Sequence, residues 1–579
     1  MEGRRLNQGE RKYLNGNLAP VSVELSLAKS ISASLARIIE RGDLSSITES
    51  HIEPSNIPLE RPKNRDHGDF ATSIALALAK SAGRKPREIA ELIATELGSD
   101  PMLSKVEIAG PGFINLTLNS ASQGEIITTI LEQGSEFGRG TDLAGVRINV
   151  EFISANPTGP IHLGHTRWAA VGDALARVLI AAGSEVTREF YINDRGVQMD
   201  LFGASIRASA LAIPRPEEGY QGAYIDEIAF DIVSEHPEYK DLPEEESIVA
   251  FREAGYLHQL KQQQEVVKRF GTQIDVWFSE RELHKGESAL NDALARLERE
   301  GHVYQSEGAL WLRTTTFGDD KDRVLKKSTG EYTYFASDTA YYLNKRNRGF
   351  DIAIYMLGAD HHGYIGRLKA TAACAGDDPE YNIEILIGQL VKIIEGGEEL
   401  KLSKRAGTIV TLEDLVEKVG VDAARYTLIR YPVETPMVLD VDLLKKHTNE
   451  NPVYYVQYAH ARIAALLRNA EELGVAYGST VLDASLLESE QERELIGALA
   501  EFPSVLSMAA TTRAPHRIAR YIEELAGTYH RFYSECRVLP MSGEAPAPIH
   551  SSRATLCSAT KQVIANALEL LGVSAPERM

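Results

Sequence analysis

Apolar residues near the start of the chain recur first at helical spacing and then in alternation. Residues 22–48 predict a helix, and two more helices are predicted at 70–82 and 86–97. The apolar face of the first helix carries Leu27, Ile31, Leu35 and Ile38. Residues 105–118 alternate like two strands separated by a Gly-Pro-Gly turn. The pattern therefore predicts a small α/β domain over residues 22–120.

The next part of the chain changes to apolar runs of the kind found in strands that are buried on both faces. A run at 147–153 is followed by a turn rich in proline and glycine, an amphipathic helix, and a second strand at 185–192. Such a strand–helix–strand unit builds parallel sheets, so a Rossmann-type domain is predicted over 140–440. Its sheet resumes at 351–357 after a mostly helical insertion at about 200–330.

Residues 445–579 show nearly continuous helical periodicity, which predicts a third, all-α domain. The predicted fold class is therefore α/β, with a parallel-sheet domain between a small α/β domain and a helical one. The first 21 residues are polar and lack the apolar centre of a signal peptide, so they are predicted to form a flexible tail.

Composition narrows the class of protein. Of the 579 residues, 43% are hydrophobic, and no apolar run is long enough to predict a membrane span. The three cysteines form no Cys-x-x-Cys pair, which argues against a disulfide framework and a structural zinc site and suits a cytoplasmic location. The net charge of −20 disfavours a general nucleic-acid binder, although an acidic protein can still carry one basic face.

Candidate chemistry appears first at His162, Gly164 and His165, between the strand at 147–153 and the following helix. The start of a helix attracts phosphate because its N–H groups are free and its dipole is positive there. Histidines at this place can donate hydrogen bonds to phosphate oxygens, and Gly164 leaves room for a nucleotide against the backbone. The alternative interpretation is a pair of helix-capping histidines.

A second candidate group is Lys401, Ser403 and Lys404, which follow a predicted hairpin. Thr411 is predicted to cap the next helix, so the lysines belong to a connecting loop. Two lysines on a loop that can close suit the β- and γ-phosphates of a nucleoside triphosphate. Taken alone, this short motif is weak and is much more typical of a solvated basic loop.

Together the two groups resemble the HIGH and KMSK signatures of class I aminoacyl-tRNA synthetases, in the same order and 239 positions apart from His162 to Lys401. Longer segments at 151–165, 358–364, 451–462 and 530–539 resemble the arginyl-tRNA synthetase family. The likeness extends over nearly the whole chain from about residue 22. Leu402 stands where the KMSK name has methionine.

The resemblance implies a function for each domain. Residues 22–120 would bind the elbow of tRNA, 140–440 would hold the active site, and 445–579 would bind the anticodon. The enzyme would use ATP, with Mg²⁺ and without structural zinc, to join L-arginine to tRNA(Arg). It would act as a monomer away from membranes. The residues implied to form the tRNA-binding surface are Lys445, Lys446, Arg462 and Arg517.

The resemblance also implies an arginine pocket. The positions that match the family's pocket are Glu151, Ser154, Asn156, His165, Tyr334, Asp338 and His362. A guanidinium is planar and has five donors, so it calls for a carboxylate that accepts two of them, and Asp338 matches that carboxylate. Without the family, Asp338 could simply cap a helix. His362 stands where many members have glutamine, so its role stays open.

Two alternative functions remain at this point. One is another class I synthetase, such as the cysteinyl or glutamyl enzyme; the cysteinyl enzyme would need zinc-binding thiolates that this sequence lacks. The other is an inactive synthetase-like protein that only binds tRNA, for which the loss of a signature residue would be expected. ATP–pyrophosphate exchange with arginine and tRNA distinguishes these alternatives.

Overall fold

The computed structural model describes residues 23–62, 67–361, 363–400 and 410–579, apart from the side chains of Glu287 and Asp360. The first region, up to residue 118, is a four-stranded antiparallel sheet covered by helices. Its strands, in sheet order, are Leu59–Glu60, Phe70–Thr72, Phe113–Leu118 and Leu103–Ala109. Its helices are Val23–Glu40, Ile74–Ala82 and Pro86–Leu97, and the helix Ser120–Gln133 follows.

The predicted apolar face of the first helix is buried, and Leu27, Ile31, Leu35 and Ile38 form part of the core. Two element boundaries differ from the prediction. The first helix ends at Glu40 rather than near residue 48, because a turn with Gly42 at φ 87° follows. Residues 70–72 form a strand, since they pair with Phe113–Leu118, and the predicted helix at 70–82 begins only at Ile74.

Five parallel strands form the central sheet, which confirms the predicted Rossmann-type arrangement. In sheet order they are Ile383–Gly388, Ile352–Gly358, Arg147–Glu151, Glu185–Ile192 and Val276–Ser279. The chain builds outward from Arg147–Glu151 on one side and later returns to add strands on the other. Ligands of such sheets bind beyond the carboxyl ends of the strands, at the point where the strand order reverses. The residues after Glu151 are therefore expected to line the site.

The predicted insertion at about 200–330 contains one of these five strands, Val276–Ser279, and so divides into two parts. The first part is the helices Val197–Ala210, Tyr224–Glu235 and Glu244–Arg269. The second part holds the helices Arg281–His284 and Ser288–Arg299 and a small antiparallel sheet of Val303–Ser306, Ala309–Leu312 and Arg323–Lys326. The sequence pattern missed the intervening strand because only four residues pair.

The helices Leu163–Ala181, Tyr334–Asn347 and Tyr364–Cys374 belong to the sheet region. After its last strand comes the predicted hairpin, Val391–Glu395 with Glu398–Glu399, and Met437–Asp440 adds to it in parallel. Gly396 and Gly397 both have positive φ, of 62° and 79°, as a tight two-residue turn requires. The helices Leu412–Val419, Val421–Ile429 and Val441–Leu444 follow.

The C-terminal region is helical, as predicted, with helices Pro452–Glu472, Glu490–Ala500, Phe502–Thr511, His516–Glu535 and Pro548–Leu571. Arg425 joins this region to the sheet, because its fully buried guanidinium donates to Asp173, at 2.6 Å, and to the carbonyls of Phe270 and Leu571. Within the described ranges, no helix has both the length and the apolar character needed to span a bilayer.

Candidate active site

The two signature histidines lie at the start of the helix Leu163–Ala181, beside the carboxyl end of the central strand. His162 is the N-cap, and its Nδ1 accepts a hydrogen bond from the backbone N–H of Gly164 at 3.1 Å. The rings of His162 and His165 are tilted by 33° with respect to each other, with their centroids 4.1 Å apart. A Cβ at Gly164 would stand 2.9 Å from the His162 ring, so any other residue would displace that ring. His162 therefore caps the helix, as the alternative interpretation of the two histidines expects.

The chain that follows the second signature pairs with the first. Lys401, Ser403 and Lys404 lie outside the described residues, but the segment beginning at Val410 is described. Leu163 donates its backbone N–H to Val410 at 3.1 Å, and Leu412 donates to Ile161 at 2.8 Å. The segment that follows the lysines in sequence therefore lies alongside the start of the helix at His162. The two motifs are 239 positions apart in sequence, so only the tertiary structure brings these segments together.

Glu151 lies at the carboxyl end of the central strand and is held from two sides. Its carboxylate accepts hydrogen bonds from Ser154 Oγ at 3.0 Å and from Lys345 Nζ at 2.6 Å. Ser154 Oγ in turn accepts from the backbone N–H of Tyr191 at 3.2 Å. Ile153 and Ser154 both have positive φ, of 71° and 45°, which is costly for residues with side chains. The strained turn redirects the chain at the strand end where a ligand is expected.

Asn156 and Tyr334 lie toward the outside of the same region. Asn156 donates a side-chain hydrogen bond to Gln198 at 2.7 Å. The side chain of Tyr334 is 77% exposed, and its hydroxyl lies near the backbone of Gly196. An exposed aromatic ring beside a polar cluster is available to contact a ligand.

Asp338 is one of a group of neighbouring carboxyl groups whose negative charges are not balanced by the positive charges around them. Burial, together with the negative charges of Glu280 and Glu151, raises the pKa of Asp338 to about 7, while Arg367 opposes this shift. Burial likewise raises the pKa of Glu280. The pKa of the Tyr191 hydroxyl is also raised, by burial and by Glu280 and Asp338. A cation placed beside the carboxyl groups of Asp338 and Glu280 would be attracted by both when they are ionised.

Sequence reasoning did not find Glu280, Tyr191 or Lys345. Glu280 directly follows the strand Val276–Ser279, and Tyr191 lies near the end of Glu185–Ile192. Both therefore lie at the carboxyl edge of the sheet. Ligands bind at this edge in such sheets, so a prediction of the strand at 276–279 would have identified these residues as site candidates. Lys345 lies seven positions after Asp338 on the helix Tyr334–Asn347, so the two share a helix face.

The structure brings some of the predicted site residues together, places others farther out and does not describe the rest. Glu151, Ser154, His162 and His165 lie around the end of the central strand. His362 lies outside the described residues, as the two lysines do. Among the described residues, no group of three His, Cys, Asp or Glu side chains is arranged to hold a metal ion.

Three family models match consecutive parts of the chain. They are the arginyl tRNA synthetase N terminal domain at 25–118, the catalytic domain of class I (R) tRNA synthetases at 127–462, and the DALR anticodon binding domain at 456–579. The arginine–tRNA ligase of Frankia alni is 52% identical over 553 residues, and that of Renibacterium salmoninarum is 53% identical over 556 residues. In both cases the match covers 96% of this chain and 99% of the relative.

The chain belongs to the arginyl-tRNA synthetase family. The solved structure of the Thermus thermophilus arginyl-tRNA synthetase has the same fold, with a TM-score of 0.72 at 22% identity over 96% of this chain and 100% of that one. The family resemblance, the α/β fold and the synthetase activity predicted from sequence are confirmed. A class I synthetase catalytic domain also implies the use of ATP.

One face of the synthetase's helical domain combines aromatic rings with arginine. Tyr454 and Tyr458 stack with ring centroids 5.9 Å apart, and Arg462 lies over the ring of Tyr533 at 4.0 Å. His530 contacts Tyr458 at 6.3 Å between centroids. Bases of a single-stranded loop can stack on such surfaces, while arginine attracts phosphate.

The other cations predicted for tRNA binding have different surroundings. Lys445 forms an ion pair with Glu395 at 3.1 Å, and Lys446 forms one with Glu450 at 2.8 Å. Their charge is therefore partly neutralised within the protein. Arg517 lies on the helix His516–Glu535, near its first residue.

Proposed function

We propose that this arginine–tRNA ligase joins its substrates in two steps at the carboxyl end of the sheet. In the first, a carboxylate oxygen of L-arginine attacks the α-phosphorus of ATP, and the bond to the β-phosphate breaks to release pyrophosphate. In the second, a ribose hydroxyl at the 3′ end of tRNA(Arg), the 2′-hydroxyl by family analogy, attacks the carbonyl carbon of arginyl-adenylate and releases AMP. No side chain forms a covalent bond, so catalysis consists of positioning and charge stabilisation.

The observation that carries this proposal is the pairing of residues 410–412 with residues 161–163. It supports a single nucleotide site shared by both signatures. His162 and His165 would contact the phosphates from the helix start, with Gly164 leaving space for the nucleoside. Lys401, Ser403 and Lys404 would approach from the adjoining loop.

Mg²⁺ would enter this site with ATP. The phosphate oxygens of ATP would be its main ligands. Mg²⁺ commonly binds proteins in this way, keeping several of its waters. When bound, it would neutralise part of the charge on the phosphates.

The excess of carboxylates around Asp338 supports a pocket for the guanidinium of arginine. Asp338 would accept two of its N–H groups, and Glu280 would add a second negative charge. Glu151 and Ser154, at the strand end, and Asn156 would face the end of arginine that carries its α-amino and α-carboxyl groups. Tyr334 would cover the pocket from the exposed side. Any contribution of His362 would come from beyond the described residues.

The tRNA would contact all three regions. The aromatic surface with Arg462 supports an anticodon contact, with Arg517, Lys445 and Lys446 adding charge around it. Residues 22–120 would bind the elbow, 140–440 would catalyse the reaction, and 445–579 would bind the anticodon. We further propose that the enzyme acts as a monomer in the cytoplasm, which sedimentation and cell fractionation would test.

The function is tested by ATP–pyrophosphate exchange and aminoacylation with each standard amino acid, in the presence of tRNA(Arg). Of the standard amino acids, only arginine should support both reactions. Exchange with another amino acid at comparable rate would contradict the arginine pocket. tRNA binding without any exchange would favour a synthetase-like protein that only binds tRNA.

A further inference from the structure

The turn that precedes the signature histidines is held by side chains from the inserted helices. Gln263, on the helix Glu244–Arg269, donates from Nε2 to two backbone carbonyls, those of Asn156 at 3.1 Å and Gly159 at 2.8 Å. Tyr224, on the helix Tyr224–Glu235, donates its hydroxyl to the carbonyl between them, that of Thr158, at 3.0 Å. Two inserted helices therefore bind three carbonyls of one short turn.

Burial makes these hydrogen bonds important. The side chain of Gln263 is 1% exposed, and Thr158 is also buried. Water therefore has little access to replace a lost donor, and a buried carbonyl without a partner is costly. Gly159 fits the same arrangement, since a Cβ there would stand 3.2 Å from the Tyr224 hydroxyl.

The turn connects two residues that are proposed to meet different substrates. Asn156 is at its beginning and is proposed to contact arginine, and His162 follows its end and is proposed to contact the phosphates of ATP. The distance between these two residues therefore depends on the backbone path that Gln263 and Tyr224 hold. Gln198 adds a contact from a third inserted helix, because it accepts the Asn156 side-chain amide at 2.7 Å.

We propose that Gln263 is a positioning residue for the activation step, with Tyr224 as its partner. The amide of Gln263 fixes the turn so that the arginine carboxylate, held near Asn156, lies in line with the α-phosphate of ATP. The inserted helices are thereby part of the apparatus that aligns the two substrates. This inference rests on the proposed roles of Asn156 and His162.

The test uses the full chain with Gln263→Met and Tyr224→Phe, singly and together. Gln264→Met is the matched control, because Gln264 is the next residue on the same helix and is half-buried. We expect Gln263→Met to raise the KM for arginine in pyrophosphate exchange at least about fivefold and to lower kcat, because misplacing a reactant slows its reaction steeply. Tyr224→Phe should have a smaller effect in the same direction, and the KM for tRNA should stay within about twofold in both.

The KM for arginine separates positioning from general damage. A partly unfolded sample lowers the apparent kcat but leaves KM unchanged, since KM does not depend on the amount of active enzyme. Gln263 and Tyr224 hold the same turn. The change in activation free energy in the double variant should therefore differ from the sum of the changes in the two single variants. Should Gln263→Met fail to fold, Tyr224→Phe alone tests the prediction.

An unchanged KM for arginine in the folded variants would overturn the proposal, as would equal changes in Gln264→Met. A rise in the KM for tRNA alone would overturn it too, by assigning the inserted helices to tRNA binding. These results differ from a failure of the proposed function, in which the unaltered chain itself would show no exchange with arginine.

Discussion

Lys345 places its ammonium group 2.6 Å from a carboxylate oxygen of Glu151, and the side chain of Lys345 is completely buried. The ammonium also lies over the rings of Tyr341, at 4.4 Å, and Tyr355, at 3.8 Å. This ion pair joins the helix that carries Asp338 to the end of the central strand. It therefore ties the two sides of the proposed arginine pocket together.

Replacing Lys345 by methionine should destabilise the protein markedly. The variant leaves the buried Glu151 carboxylate without its cation, and breaking such a pair costs about 3–5 kcal/mol. Urea unfolding followed by circular dichroism measures the loss. The double variant Lys345→Met with Glu151→Gln should recover most of it, because no unpaired charge remains; a double variant as unstable as the single one would show that packing, rather than charge, is responsible.

Asp338→Asn should reduce the use of arginine much more than that of its neutral analogue citrulline. The amide keeps the shape but loses the charge, and removing one partner of a desolvated charged pair costs about 2–5 kcal/mol. The kcat/KM for arginine should fall at least about 30-fold, equivalent to about 2 kcal/mol. The KM for ATP serves as the control and should hardly change. An equal loss with both substrates would mean that Asp338 does not face the guanidinium.

Arginine binding should weaken as the pH falls below about 7. The pKa of Asp338 is raised to about 7 in the empty site, so below this pH its carboxyl is largely protonated and must lose the proton when the cation binds. Above that pH the carboxylate is already ionised and affinity should level off, and each unit below should weaken binding by up to about tenfold. Calorimetry in buffers of different ionisation enthalpy would detect the released proton. Asp338→Asn should flatten the pH dependence; an unchanged slope in that variant would assign the proton to another group.

Lys404→Ala should slow arginine activation by about 10²-fold or more, as expected for a lost group that stabilises transition-state charge. Lys392→Ala is the matched control, because Lys392 lies on the preceding hairpin and pairs with Glu399 at 3.0 Å. Single-turnover formation of arginyl-adenylate measures the effect. Near-normal rates in Lys404→Ala, or an equal loss in the control, would remove Lys404 from the nucleotide site.

Much of the fold could be predicted because its signals are local. The helix Pro86–Leu97 has the predicted bounds, and Thr411 caps its helix as predicted, because proline geometry and capping depend on neighbouring residues. The strand–turn–helix around His162 was recognisable for the same reason. Residues 70–72 were not, because their strand exists only through pairing with Phe113–Leu118.

The sequence by itself determined the family, the two signatures and the order of the three regions, since these depend on residue types at short spacing. Only the tertiary structure decided which distant groups share the site. Glu280 reaches it through a four-residue strand, and Lys345 reaches Glu151 across 194 positions of sequence. The parallel sheet brings such residues together at one edge, and their mutual charges and burial then alter the pKa of Asp338, which no local pattern of residues encodes.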